Sequence, residues 1–155
     1  MYYALREVRH TILRLIGDHY RVPRGTHRSW QGCNLDLTGI TIDGNMSFED
    51  ATFSGGRVSF NGATFSGGRV DFGRATFSGG RVSFNDATFS GGRVDFGVAR
   101  FSARRVSFYR AIFSGSELDF EGASGPVPPG LYVATRASVP RTVTVPLGWM
   151  TDPQN

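Results

Sequence analysis

Three histidines, His10, His19 and His27, are the only imidazoles in the chain, and all lie ahead of Trp30. His10 and His19 are nine positions apart, which on a helix puts them on different faces. No carboxylate or thiol stands at metal-ligand spacing from any of the three, so they are expected as exposed or capping residues. Asp71-Phe72-Gly73 and Asp95-Phe96-Gly97 spell a magnesium-binding tripeptide of phosphoryl-transfer enzymes. The chain carries no lysine, phosphate loop or catalytic loop to accompany it. Gly-Gly-Arg-Val-Asp (67–71, 91–95) approaches the calcium-binding nonapeptide but lacks its next glycine and puts a guanidinium where the cation would sit. The single cysteine, Cys33, excludes an intramolecular disulfide and a cysteine-based zinc site. It stands two positions before Leu35, in what reads as a small inward-facing position, and is expected as a buried filler with no redox role. These residues assemble no catalytic, cofactor or metal constellation. No enzyme activity, cofactor or small-molecule substrate is expected.

The regular chemistry in the chain is arginine. All 17 basic residues are Arg, a usage that points to a GC-rich bacterial genome, and the formal net charge is +4. Much of that excess is N-terminal, where residues 1–30 hold six Arg against Glu7 and Asp18. Further on, Arg57, Arg69, Arg81, Arg93 and Arg105 recur once in every repeat unit. Arg69 and Arg93 each have an Asp two positions later, Asp71 and Asp95, whereas Arg57, Arg81 and Arg105 have Ser59, Ser83 and Ser107. If the two sets fall on different walls of one structure, one wall is electrically quiet and the other positive. Arg57, Arg81 and Arg105, with neighbouring Arg104, are then the candidate binding surface. The plainer alternative is that these guanidinia solubilise an exposed corner.

What places them is that repeat. The thirteen Phe lie at 48, 53, 60, 65, 72, 77, 84, 89, 96, 101, 108, 113 and 120, spaced 5 and 7 in strict alternation. The twelve-residue unit, ATFSGGRVSFNG from Ala51, splits into two five-residue pieces and a Gly-Arg insert. No helical period fits, and a Gly-Gly pair in every clean unit costs a helix about 1 kcal/mol per glycine. In each piece a small or branched apolar residue stands two before Phe, as in Ala51/Phe53, Val58/Phe60 and Val70/Phe72. Residues two apart on a strand share a side, so these pairs face inward, while Thr52, Ser59, Thr64 and Asp71 face out.

The five-residue pieces resemble the pentapeptide-repeat family, most clearly at ATFSG (51–55, 63–67, 75–79, 87–91) and at CNLDL (33–37). The resemblance covers about 33–123. It implies an all-β fold, a right-handed quadrilateral parallel β-helix with one pentapeptide per wall. The two-residue insert departs from the family pattern and is expected to bulge at a corner on alternate walls.

Four pieces and two inserts, which is two units, make one coil, and the repeat region holds about four coils. A 24-residue superperiod appears independently, as Ser59, Asp71, Ser83, Asp95, Ser107, Asp119 and as Asn61, Gly73, Asn85, Gly97. Duplication of a two-unit block would leave the same trace, which keeps a flat two-sided solenoid with one unit per coil as the alternative. With two units per coil, Phe53, Phe77 and Phe101 form one internal column and Phe60, Phe84 and Phe108 another. Phe65, Phe72, Phe89 and Phe96 complete the expected core.

Solenoid ends need caps, because they expose apolar residues and unpaired strand edges. The helix periodicity over 4–20 puts Leu5, Val8, Ile12, Leu15 and Ile16 on one face, and residues 1–20 are expected to pack as an amphipathic cap on the first coil. A basic amphipathic helix can also lie on an acidic membrane surface or bind a partner. Residues 21–29 read as a linker and 30–123 as the β-helix, whose irregular first coil draws its core from Leu35, Leu37, Ile40 and Ile42. Residues 124–155 read as a Pro-rich turn and C-terminal cap, with Val143, Val145, Leu147 and Trp149 alternating as a covering strand. No window approaches the ~18 apolar residues of a membrane span, and the chain is expected in the cytoplasm, with peripheral membrane contact through the helix as the variant.

The function expected is that of a scaffold binding another macromolecule, a protein first, through flat walls, as a monomer or an end-to-end dimer. The alternative is weak binding of nucleic acid or acidic lipid by the Arg wall and the basic helix. The resemblance also brings in relatives that mimic DNA and act on type II topoisomerases. That role depends on a strongly negative surface, which a chain of net charge +4 does not offer.

Overall fold

The computed structural model describes residues 2–23, 25–102, 105–131 and 143–149. One helix, α1 (Tyr2–Arg21), precedes four coils of short parallel strands. The first coil holds β1 (Leu35–Asp36), β2 (Thr41–Ile42), β3 (Met46–Ser47) and β4 (Thr52–Phe53). The second holds β5 (Arg57–Ser59), β6 (Thr64–Phe65), β7 (Arg69–Asp71) and β8 (Thr76–Phe77). In the third are β9 (Arg81–Ser83), β10 (Thr88–Phe89), β11 (Arg93–Asp95) and β12 (Arg100–Phe101). The fourth has β13 (Val106–Ser107), β14 (Ile112–Phe113) and β15 (Glu117–Asp119), and Ser124 bridges back to Arg100 in place of a fourth strand. Every fourth strand stacks on the one before, so the coils build four sheets. We number these walls one to four in the order β1, β2, β3, β4.

The coil length follows from the register. Thr52 pairs with Thr76, Arg57 with Arg81 and Val70 with Val94, in each case two units further along the chain. A coil therefore closes after two units, and the flat alternative falls. The first coil is one residue short on two of its walls. Leu35 pairs with Val58 and Ile42 with Phe65, one position less than two units, whereas Met46 pairs with Val70 at the full separation. The missing residue lies between Ile42 and Met46, where four steps replace the five from Phe65 to Val70.

Each wall is two or three residues wide because the pattern supplies one inward Ala or Val, one outward polar residue and one inward Phe. The rings stack along the tube as flat columns. Phe48, Phe72, Phe96 and Phe120 follow one another at 5.0, 4.9 and 4.8 Å between centroids. Phe53–Phe77–Phe101, Phe60–Phe84–Phe108 and Phe65–Phe89–Phe113 do the same, all at 4.7–5.0 Å. Rings of adjacent walls meet tilted, as Phe60 meets Phe65 at 45°, while the opposed columns of walls one and three meet edge to face, as Phe60 meets Phe72 at 87°. All thirteen rings are buried. Each contributes about 1.5–3 kcal/mol from burial, and each ring pair about 0.5–1.5 kcal/mol more.

The Gly-Gly pairs turn corners where successive coils touch backbone to backbone. Gly92 has φ +70°, and a Cβ there would collide with the Gly68 carbonyl oxygen one coil below. The corner after a Phe is glycine at Gly62 and Gly122, but at Asp50, Arg74, Val98, Asp86 and Arg110 a residue other than glycine takes a left-handed φ of 56–62°. Arg74 donates to Asp50 and Arg110 to Asp86 across one coil step (2.9 and 2.6 Å), and the hydrogen bond from each arginine holds its aspartate below the usual carboxylate range.

At the N-terminal end α1 lies on β3 and β4. Among its described side chains Leu13, Ile16 and Tyr20 are buried, and the Tyr20 ring meets Phe53 at 5.0 Å and Phe48 at 5.9 Å, capping both columns. Gly17 permits the close approach, since a Cβ there would run into the Ser47 carbonyl oxygen. Arg21 pins the C-terminal turn by donating to the carbonyls of Ser47 and Glu49, both at 2.7 Å. This corrects the face expected from sequence. Of that stripe only Ile16 is buried, while Val8, Ile12 and Leu15 are exposed and the Leu5 side chain lies outside the described ones.

Cys33 is also corrected. It is exposed, because Leu35 and Leu37, rather than Cys33 and Leu35, take the inward positions in register with Val58 and Phe60. Cys33 falls at the preceding corner, its carbonyl above Gly56.

The far end is closed less regularly than an alternating strand. A short strand, β16 (Val143–Thr144), extends wall three beyond β15, and a 3-10 turn (Leu147–Trp149) follows. Trp149 is buried against Phe101 and Phe120, each at 5.6 Å, and its Nε1 donates to the Gly125 carbonyl at 3.0 Å. Pro146, before the turn, cannot donate to a continued ladder. Earlier in the tail, the Pro129 carbonyl accepts from the Phe108 amide at 2.8 Å, continuing wall one.

Candidate functional site: the arginine wall

Wall one begins each coil with the residue just before its inward Leu35 or Val, and that position stacks at the ~4.8 Å strand spacing. Asn34 fills it in the first coil, and its Oδ1 accepts from the Arg57 amide at 2.9 Å. Arg57 then stands under Arg81 in register. Arg105 follows, immediately before Val106, which pairs with Val82. The sequence-derived trio is thus one column on one wall. Arg104 lies outside the described residues.

Beside the guanidinia runs a column of small hydroxyls and amides. Ser83 Oγ donates to Asn61 Oδ1, Ser107 Oγ to Ser83 Oγ at 3.4 Å, and the Tyr109 amide to Asn85 Oδ1 at 2.9 Å. These bonds flatten the wall and leave two shallow depressions. One, of about 380 Å³, is lined by Asn34, Arg57, Arg81 and Arg105; the other, of about 400 Å³, includes Ser83, Asn85, Ser107 and Tyr109.

Among the described residues, none of Arg57, Arg81 and Arg105 makes an ion pair. Wall three is organised differently. Arg69 lies 3.3 Å from Asp71 of its own coil and 3.1 Å from Asp95 of the next, and Arg93 reaches Glu117 at 2.7 Å and Asp119 at 2.9 Å. Pairing runs between coils as well as within the unit, which a reading of single units does not reveal. Strands β7, β11 and β15 carry two Arg against four carboxylates, a formal −2, so this wall has an excess of acid rather than neutrality. The strand positions of wall one carry Arg57, Arg81 and Arg105 against Asp36, a formal +2. Walls one and three face opposite ways, so these strand positions carry opposite formal charge on two sides of the tube.

The Asp-Phe-Gly tripeptides have a structural use. Asp71 Oδ1 accepts from the Gly73 amide and Asp95 Oδ1 from the Gly97 amide, both at 2.7 Å, shaping the corner after the strand. Of the histidines, His10 approaches Asp43 at 3.4 Å, His19 stacks on Trp30 with centroids 4.2 Å apart, and His27 is exposed. A groove of about 920 Å³ between α1 and wall three, lined by Glu7, His10, Arg14, Asp43, Arg69 and Asp71 among others, has no sequence signal because it depends on how the helix docks.

A family model for pentapeptide repeats (9 copies) matches residues 30–76. Neither a curated protein nor a solved structure matches the chain. No helix among the described residues is long and apolar enough to cross a membrane.

Proposed function

The chain is a pentapeptide-repeat protein, and from that premise we propose that it is a non-enzymatic scaffold whose wall one holds a protein partner with an acidic surface, in the cytoplasm. The observation that carries this reading is the contrast between walls. The guanidinia of wall three are engaged by carboxylates, whereas Arg57, Arg81 and Arg105 have none among the described residues. A flat, rigid wall with an unneutralised column steers an acidic partner and fixes its register more than it adds raw affinity. Weak polyanion binding is the second reading, but a ~4.8 Å guanidinium pitch does not follow the phosphates of a nucleic-acid strand. Attraction of that kind would be diffuse and salt-sensitive. Imitation of DNA has no support in a wall of this sign.

The test is co-purification from the native host with the wild-type chain and with a variant carrying Arg57→Glu, Arg81→Glu and Arg105→Glu. A protein retained by the wild type, released by the triple variant and insensitive to nuclease supports the reading. Retention that nuclease abolishes would favour the polyanion alternative, and a partner that ignores the three reversals would remove wall one from the function.

A further inference from the structure

Walls one and three of this chain are matched to each other. Within a coil the chain crosses these opposite walls in opposite directions. Wall one reads Arg57-Val58-Ser59 and wall three Arg69-Val70-Asp71, so the first position of one and the third position of the other lie on the same flank of the rod. A second copy shifted sideways without rotation therefore lays its wall three on wall one with Asp71, Asp95 and Asp119 opposite Arg57, Arg81 and Arg105. Both columns climb by the same coil step of about 4.8 Å, so the match continues along the rod. On the other flank the small hydroxyls of Ser59, Ser83 and Ser107 come opposite Arg69, Arg93 and Glu117, and no two guanidinia are forced together.

The charges divide in the same way. The corner that follows wall three adds Glu49, Asp50 and Glu121 against Arg74, which takes the −2 of its strands to a formal −4. The corner that follows wall one adds only the Asp86–Arg110 pair and leaves its strands at +2. On α1, beside wall three, Glu7 is offset by Arg14 and Asp18 by Arg21, while the side chains of Arg6 and Arg9 lie outside the described ones. Asp71, Asp95 and Asp119 sit low, their side chains 14–18% exposed, but Arg69 and Arg93 alone serve all three and Glu117. Glu121, next to Asp119 in the same corner, is exposed and has no ion pair among the described residues. The chain already makes the required contact within itself, where Arg69 bridges aspartates of successive coils.

We infer that wall one takes wall three of a second copy, side by side with the rod axes parallel. This names the partner for wall one and rests on the reading of that wall as the working surface. The contact joins two different faces and leaves one of each free, so it repeats into open rows instead of closing at a dimer. A wall three residues wide and four coils high covers on the order of 300 Å² per copy, below the ~800 Å² per partner of a standard interface. The association is therefore weak, rapidly reversible and salt-sensitive.

Sedimentation velocity of the full chain at roughly 20 mM sodium chloride should give an average coefficient that climbs with concentration and passes the dimer value. Association should weaken about tenfold or more at roughly 150 mM. Arg57→Glu, Arg81→Glu and Arg105→Glu together disable wall one. Asp95→Asn with Glu121→Arg disables wall three, and the new amide oxygen can still accept from the Gly97 amide. Each variant alone should associate about tenfold more weakly or less, and a mixture of the two should form a dimer and stop there, since one sound wall of each kind remains. Circular dichroism of both should match the wild type; if either is unfolded, the salt dependence of the wild type decides. A wild type that stays monomeric at low salt, association that survives high salt, or a mixture no more associated than its components would overturn the inference. Those failures are separate from that of the wall-one reading, which stands on a host protein released by the triple variant whether or not the chain pairs with itself.

Discussion

Phe72 and Phe96, one full coil apart in the chain, lie 4.9 Å apart and 4° from parallel. The same relation recurs in every column, so each interior ring has a flat neighbour above and below as well as edges beside it. Stability of such a rod is close to a sum of nearest-neighbour terms.

Phe84, flanked by Phe60 and Phe108, should therefore cost about 3–5 kcal/mol when truncated to Ala. Phe113, stacked on Phe89 alone, should cost less. Urea titration of both variants checks the difference; equal losses would contradict a nearest-neighbour account.

Among the described residues Val98 is the one β-branched residue in a left-handed corner, with φ 58° and 56% of its surface exposed. The strain of that conformation is about 1–2 kcal/mol for an L-residue, and one coil later Gly122 occupies the corner. Val98→Gly should raise the melting temperature by roughly 2–4 °C. Arg74→Gly, in the same column, should bring no comparable gain, because it also loses the pair with Asp50.

Burial first, and then the charge interaction with Cys33, push the Tyr20 phenol up to about 12. A folded pKa above the unfolded value of about 10 favours the neutral form. Stability from this group is complete below pH 10 and drains away as pH rises from 10 through 12. Tyr20→Phe should flatten that alkaline loss in melts between pH 9 and 12. A loss of the same steepness in the variant would assign it to other groups.

The guanidinia of wall one repel one another along the ladder. Arg81→Gln should stabilise the chain by about 0.5 kcal/mol at low salt, and the gain should vanish as sodium chloride screens the column. Denaturant midpoints at low and high salt measure it. A salt-independent effect would mean that Arg81 acts through packing of its stem.

Much of this was legible in the sequence because Phe spacing encodes which residues face inward, and the alternation of Ser59, Asp71, Ser83 and Asp95 favours two units per coil. Arg57, Arg81 and Arg105 were placed together by that arithmetic. The rest was hidden for particular reasons. The place of Cys33 is not legible because the first coil has no Phe before Phe48 to set its register, and it is a residue short besides. The helix is apolar over two adjacent arcs, and periodicity cannot tell which of them, Val8–Ile12–Leu15 or Leu13–Ile16–Tyr20, the coil will cover. The reach of Arg69 to Asp95 depends on side-chain length across a coil step, which spacing within one unit does not express.

The mismatch between a motif and a turn that needs two of them imposes a parity rule on how the rod can lengthen. Inserting a single motif would keep every ring inside but rotate all that follows by half a turn, setting Asp71-type residues above Ser83-type ones and mixing the two polarities on both sides. Only paired insertions preserve the segregation, so the interior is indifferent to odd and even growth while the surface is not.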